Sequence, residues 1–296
     1  MASAELQKVI AARRANGYAP EKTLEELRAD SEVRSSVPLL DGTTHEQLSA
    51  NGVPGEWVDA PGAGADRVFL FFHGGGYYRG SAAASRATSA RFSAACGARV
   101  FSIDYRLAPE NPFPAAVDDA LSAYRWLLDQ GIDAAKIGVG GISAGGGLTL
   151  SLLLKLKEAG LPQPAMAAPM SAWTDLTQSS ETFVSRAAAD PVISKAYLDR
   201  MAGLYLDGAD PKTPLASPLY GDLSGLAPMV IHVGDAETLL DDSRLFAERA
   251  KEAGVDVIYE AWDEMIHGWH GFGDMLPEAR DAIEAIGAFY RQKVGA

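Results

Sequence analysis

The sequence predicts an α/β fold, a mostly parallel sheet covered by helices on both faces. Three observations carry this expectation. Short, near-continuous apolar runs recur along the chain, amphipathic stretches separate them, and one run leads through a glycine-flanked serine straight into a helix. Strands apolar on both sides and alternating with helices belong to parallel sheets buried on both faces. The 296 residues are 47% hydrophobic, enough for one large core of this kind.

Residues up to about 45 read as polar-rich helices. Thr23 with Glu26 three residues on makes a capping box, and Leu6, Val9 and Ile10 form a small apolar stripe suited to docking. From Glu56 the character changes. Strands are expected at 68–73 (VFLFFH), 99–105 (RVFSIDY), 136–142 (KIGVGGI), 165–172 (AMAAPMSA), 228–234 (PMVIHVG) and 255–262 (VDVIYEAW). Amphipathic helices are expected over 115–129, 145–159 and 241–253. The interval from Thr174 to Gly225 breaks the rhythm. It is rich in Ser, Asp and Pro, contains a helix-like stretch after Ser194, and reads as an insertion over one sheet edge.

Composition excludes several functions. With 26 basic and 39 acidic residues the chain carries −13, which disfavours nucleic acid and anionic lipid as partners. Cys96 is the only cysteine, so neither an intrachain disulfide nor a cysteine metal cluster can form; it reads as a packed small hydrophobe. The N-terminus has no continuous apolar segment of the signal-peptide kind, and no run of about 18 apolar residues offers a membrane helix. The expectation is a soluble, cytoplasmic protein.

The segment from Lys136 to Gly160 holds Gly141-Ile142-Ser143-Ala144-Gly145 between a strand and a helix. In that context the motif is a nucleophile elbow. The turn is too tight for side chains at Gly141 and Gly145, and it lifts the Ser143 hydroxyl clear of the sheet. A phosphate-binding loop is the rival reading. It fails because no Gly-Lys-Ser/Thr follows and the third glycine of a dinucleotide fingerprint would fall on Ser143. A serine needs a base, and the base an acid, in the chain order Ser, acid, His. Of five histidines, His45 and His73 precede the serine and His232 lies inside a strand, leaving His267 and His270. Asp235, Glu237, Asp241 and Asp242 compete for the acid, the last two having an ordinary explanation at a helix start. His73-Gly74-Gly75-Gly76 follows an early strand, and bare glycines there present backbone N–H groups to a developing oxyanion. The donors expected are Gly74, Gly75 and Ala144, each worth about 3–4 kcal/mol in the transition state.

Together these segments resemble the bacterial hormone-sensitive-lipase family of esterases, from about Trp57 to the end. The resemblance rests on HGGG (73–76), DYRLAPENPFPAAVDDA (104–120), GISAGG (141–146), GDAETLLDD (234–242) and IHGW (266–269). MSAWTDL, MIHGWH and LPEAR look more like the monoterpene ε-lactone hydrolase branch. It implies an α/β-hydrolase fold with an eight-stranded, mostly parallel sheet and a helical cap, the cap formed by 1–45 and 174–225 and the core by 46–173 and 226–296. It implies Ser143 as nucleophile, Glu237 as acid where aspartate is commoner, and His267 as base, with no metal or cofactor. The chain departs from the family pattern at Ile142, where Asp or Thr is common. Tyr77, Tyr78, Trp173, Phe183, Met201, Tyr205 and Trp269 are candidates for an apolar pocket. The expected activity is hydrolysis of short- to medium-chain acyl esters; a lactonase, an amidase or carbamate hydrolase, and a non-catalytic ligand-binding member are the alternatives. A homodimer through the last strand is expected from the same architecture.

Overall fold

The computed structural model of the protein describes residues 3–15 and 22–296, so the parts of the expected 1–45 cap at 1–2 and 16–21 lie outside the described residues. Eight strands form one sheet: β1 (Thr44–Ala50), β2 (Val53–Asp59), β3 (Gly64–Phe72), β4 (Ala98–Ile103), β5 (Ile137–Ile142), β6 (Met166–Met170), β7 (Met229–Gly234) and β8 (Val257–Trp262). Their order is β1-β2-β4-β3-β5-β6-β7-β8. β1 and β2 pair antiparallel, β2 joins β4 antiparallel, and every other pairing is parallel. The six strands expected from apolar runs are β3 to β8. The β1–β2 hairpin is additional to the runs read from sequence, because β1 is an edge strand with mostly exposed side chains. Its turn, Asn51-Gly52, has both φ angles positive (51° and 91°), the geometry that favours Asn-Gly in two-residue hairpins.

The helices are α1 (Ala4–Ala15), α2 (Leu24–Glu32), α3 (Ala82–Cys96), α4 (Ala115–Asp129), α5 (Ala144–Glu158), α6 (Thr182–Ser185), α7 (Lys195–Leu206), α8 (Leu240–Glu252) and α9 (Pro277–Val294). α3 and α9 pack on one sheet face through Phe92, Ile283, Ile286 and Tyr290 against Phe69, Phe71 and Val100. α4, α5 and α8 cover the other face. Local signals set the helix ends. Thr23 and Glu26 form the reciprocal capping box of α2, Ser81 caps α3 by accepting from Ala84 N at 3.0 Å, and Ser194 caps α7 by accepting from Tyr197 N at 3.2 Å. α1 docks as its apolar stripe suggests, Leu6 and Val9 packing with Met265, Ile266, Trp269 and Phe272.

β3 lies between β4 and β5, so the chain passes from β3 through α3 to β4 on one side and crosses back through α4 on the other face to β5. Such a switch point opens a crevice at the carboxyl ends of the strands. The loop after β3 carries HGGG, and the turn after β5 carries Ser143.

Candidate active site

Ser143 sits between β5 and α5 at φ 61°, ψ −119°, a conformation that a non-glycine residue holds only under surrounding constraint. The constraint is visible at its flanks. A Cβ on Gly141 would lie 2.4 Å from Gly145 O, and one on Gly145 would lie 2.1 Å from Phe72 O. Ser143 N donates to Met170 O at 2.9 Å and Trp173 N donates to Ser143 O at 3.2 Å, pinning the elbow to the end of β6. Ile142 packs with the Phe69–Phe71 layer, and its Cγ2 lies 3.2 Å from where a Gly268 Cβ would be. Its apolar side chain thus braces the loop that carries His267.

His267 Nδ1 donates to Glu237 Oε2 at 2.8 Å. The other oxygen, Oε1, accepts from Gly234 N at 2.7 Å and from Ser171 Oγ at 2.6 Å. Ser171 Oγ in turn accepts from Gly268 N at 3.1 Å, so one hydroxyl ties the acid to the histidine loop. The extra methylene of glutamate is accommodated by Gly234, whose Cβ would stand 3.1 Å from Glu237 Oε1 and 2.1 Å from Met265 O. Asp235 is engaged elsewhere, accepting from Glu264 N at 2.8 Å. Asp241 and Asp242 lie in the first turn of α8, as expected of a helix start. Asp242 does more than that: it is buried, accepts from Thr174 N and Asp175 N, and burial pushes its carboxyl up to about 8.

Burial opposes charge on His267, yet the hydrogen bond and charge of Glu237, with Asp190 beyond, outweigh it and raise its pKa above 6.5. His270 behaves oppositely. It is fully buried behind the site, its Nε2 3.3 Å from His232 Nδ1, and burial holds its pKa well below 6.5.

The HGGG loop shows what its glycines and its histidine do. His73 is buried, which lowers its pKa to about 4, and its ring stacks on Tyr105 with centroids 4.2 Å apart. Its Nδ1 lies 2.9 Å from Gly74 O; a carbonyl only accepts, so Nδ1 carries the proton. Tyr105 Oη donates to His73 O at 2.8 Å. Both carbonyls are thereby engaged within the protein. In a trans peptide the N–H points opposite to the C=O, so the N–H groups of Gly74 and Gly75 face the other way. Neither has an acceptor among the described residues. Ala144 N opens α5, where no intrahelical acceptor exists. Gly74 is the near neighbour of the serine, a Cβ there falling 3.5 Å from Ser143 Cβ and 2.9 Å from Ile142 O.

Tyr105 belongs to the YRLAPE block, which sequence physics alone reads only as a turn. The block buttresses the HGGG loop. Besides the Tyr105 bond, Ala108 N donates to Tyr77 O at 2.9 Å, and Arg28 of α2 donates to Tyr78 O and Ala108 O. Ser171 and Tyr105 are the residues that motif reading missed; Ser171 was findable only by its place at the carboxyl end of β6.

Ser143, His267, Gly74 and Gly75 line one cavity of about 820 Å³. Its apolar walls are Leu27, Ile142, Val192, Ile193, Leu198 and Phe272, with Tyr197. The seven aromatic and methionine candidates are corrected here. Tyr77, Tyr78, Trp173, Phe183, Met201, Tyr205 and Trp269 are all buried, and none is among the residues lining this cavity. Tyr77 stacks on Tyr205 at 3.9 Å, and Trp269 packs in the cluster under α1. Large aromatics beside the loops of the candidate site gain more by filling the layer beneath them than by facing water. They support the cavity without lining it.

The α/β-hydrolase fold family matches residues 69–271. An acetyl-hydrolase of Streptomyces hygroscopicus is 45% identical over 240 residues, covering 81% of this chain and 80% of that protein. An esterase of Acinetobacter venetianus is 36% identical over 239 residues, 80% of this chain and 78% of its own. The crystal structure of an esterase from the bacterial hormone-sensitive lipase family superposes over 100% of both chains with TM-score 0.97 and 47% identity. The chain belongs to the α/β-hydrolase family, among the esterases of the bacterial hormone-sensitive lipase type, and is a carboxylic ester hydrolase.

Proposed function

We propose that the protein hydrolyses short- to medium-chain acyl esters by a serine triad and an acyl-enzyme. The observation that carries this reading is the fully bonded Glu237 carboxylate, which holds His267 Nδ1 at 2.8 Å while both His267 and Ser143 line the cavity. Ser143 Oγ attacks the ester carbonyl as His267 Nε2 takes its proton. The carbonyl oxygen becomes an oxyanion facing the N–H groups of Gly74, Gly75 and Ala144, which need no reorganisation because their carbonyl partners are already engaged. His267 then gives the proton to the departing alkoxide, and Glu237 stabilises the imidazolium between the two transfers. A water activated by His267 releases the acid. No step calls on a metal or cofactor.

The name of the Streptomyces relative, an acetyl-hydrolase, supports a small acyl group. The helical cap, residues up to about 45 with 174–225, is read as the element shaping the pocket, since Leu27, Val192, Ile193, Tyr197 and Leu198 come from it. A fluorophosphonate probe tests the mechanism: it is expected to label Ser143 and to abolish p-nitrophenyl butyrate hydrolysis. Retained hydrolysis by Ser143→Ala protein would overturn it. The same triad serves lactones, amides and carbamates, and kcat/KM across those classes ranks them. A homodimer through the β8 edge belongs to the same reading, and sedimentation equilibrium showing only monomer at micromolar concentration would remove it. Among the described residues no helix is long and apolar enough to cross a membrane; a cytoplasmic location is checked by cell fractionation.

A further inference from the structure

The cavity holds an unusual concentration of positive charge for a protein of net charge −13. Arg13 of α1, Arg34 after α2, and Arg79 after the glycine loop all line it. Of the other ionic side chains lining it, Lys22 and Asp30 neutralise each other at 2.7 Å. Three guanidinium groups remain with no carboxylate partner lining the cavity among the described residues. The nearest acids are committed. Asp274 lies by Arg34 and is 3.9 Å from Arg91, Glu32 accepts from Ser81, and Asp190 caps the backbone of Val192, Ile193 and Thr238.

The arginines are held by rings rather than by anions. Arg13 lies over Phe272 at 4.8 Å, Arg34 over the same ring at 5.4 Å, and Arg79 over Tyr78 at 5.4 Å and Tyr197 at 6.0 Å. Arg34 also donates to Gly271 O, whereas no side-chain hydrogen bond of Arg13 or Arg79 occurs among the described residues. Their donors are therefore unspent beside the reacting serine. Arg13 is close enough to His267 for the two to repel, and Arg79 Cγ comes within 3.1 Å of where a Gly75 Cβ would be. Burial, with the charges of Arg34 and Arg79, lowers the Arg13 pKa to about 10. Like charges gathered in a half-buried site raise the free energy of the empty protein, and an anion relieves it.

We infer that the cavity selects esters bearing an anionic group, a carboxylate above all, with Arg13 and Arg79 as the residues that read it. The inference deepens the esterase reading and rests on it. Guanidinium suits a carboxylate because its planar fork donates two parallel hydrogen bonds. The global negative charge does not cancel this, since exposed charges more than about 8 Å away are screened at physiological ionic strength. The anion can sit in either half of the ester, and matched substrates separate the two.

The test compares kcat/KM for charged and neutral partners of the same shape. On the acyl side the pair is p-nitrophenyl hydrogen adipate and its methyl ester. On the alcohol side it is 4-butyryloxybenzoate and its methyl ester. At low salt the charged member of one pair is expected to be preferred, and the pair showing the preference assigns the half. Arg13→Gln and Arg79→Gln are each expected to lower the charged-to-neutral ratio about tenfold, the lower range for a hydrogen bond to a charged group. Arg→Lys at the same positions is expected to restore part of it, and added salt to erode the wild-type ratio more than that of the double glutamine variant. Ratios at or below one in both pairs, or ratios unmoved by the glutamine variants, would overturn the inference while leaving the esterase reading intact. If Ser143→Ala protein still hydrolysed the neutral esters, the triad itself would fail, a separate outcome.

Discussion

The two walls of the cavity are built on different principles. The rear wall is the sheet's carboxyl edge, with Ser143, His267, Glu237 and the HGGG loop. There the Glu237 carboxylate and the His73 and Gly74 carbonyls are each held by a bond, and a Cβ at Gly141 or Gly145 would strike backbone at 2.4 Å or less. The front wall comes from α1, α2 with the turn after it, and the stretch around 190–198, and it offers Leu27, Val192, Ile193, Arg13 and Arg34 to the cavity. The difference separates two duties. Catalysis requires atoms fixed to within fractions of an ångström, so the rear is rigid and over-determined. Selection of a substrate requires a shape and a charge, which looser elements can supply.

The largest effects should fall on the rear wall and split its two histidines. Ser143→Ala and His267→Ala are expected to lower kcat by about 10⁴–10⁶-fold, whereas His270→Ala, packed on His232 behind the site, should lower it less than about tenfold. Equal losses at His267 and His270, measured with p-nitrophenyl butyrate, would break the assignment of the wall. Glu237→Gln comes next, with a loss of about 10²–10⁴-fold in kcat, against a change within about threefold for Asp235→Asn.

The same variant sharpens the pH dependence. In the proposed mechanism His267 acts as a base only when neutral, and its folded pKa is raised above 6.5 by Glu237 and Asp190 against burial. The kcat/KM profile should therefore rise with pH through a midpoint above 6.5. In Glu237→Gln protein the main raising cause is gone, burial prevails, and the limb should move to lower pH. An unmoved limb would mean that another group sets it.

Tyr105→Phe removes the bond to His73 O and frees the His73–Gly74 peptide, whose N–H is a proposed oxyanion donor, to rotate. The expected loss is about 3–30-fold in kcat with KM little changed, since one hydrogen bond of about 1–2 kcal/mol is lost. A loss in KM instead would place Tyr105 with the front wall. Smallest of all, Val192→Ala should change KM by less than about fivefold and leave kcat nearly intact, because it trims one partly buried contact. A large kcat effect there would mean that the front wall also holds reacting atoms in place.

Much of the rear wall was legible in the residues. The elbow glycines and the HGGG loop follow from short-range sterics, and the order of serine, acid and histidine from the topology that the strand pattern predicts. A turn that admits no Cβ must be glycine wherever it occurs, so it is written locally. β3 to β7 were legible for a related reason, their largely buried faces demanding unbroken apolar runs, and β8 by its run of β-branched and aromatic residues at the other edge. β1 escaped because an exposed edge strand makes no such demand.

Other features depended on groups far apart in the chain. Ser171 meets Glu237 across 66 residues, and Arg28 reaches Ala108 across 80. No local pattern marks either, because the partner that gives the side chain its meaning is brought up only by packing. The seven pocket candidates show the same limit from the other side. An aromatic residue next to a catalytic motif can face the cavity or fill the layer beneath it, and composition is identical in both cases. The sequence by itself determined the kind of chemistry this protein carries, since the steric demands of the elbow and the glycine loop are local and their order along the chain can be read directly. Which side chains line the cavity, and that Ser171 and Tyr105 tie its loops together, were decided only by the tertiary structure, because burial and distance belong to the folded chain and not to any stretch of it.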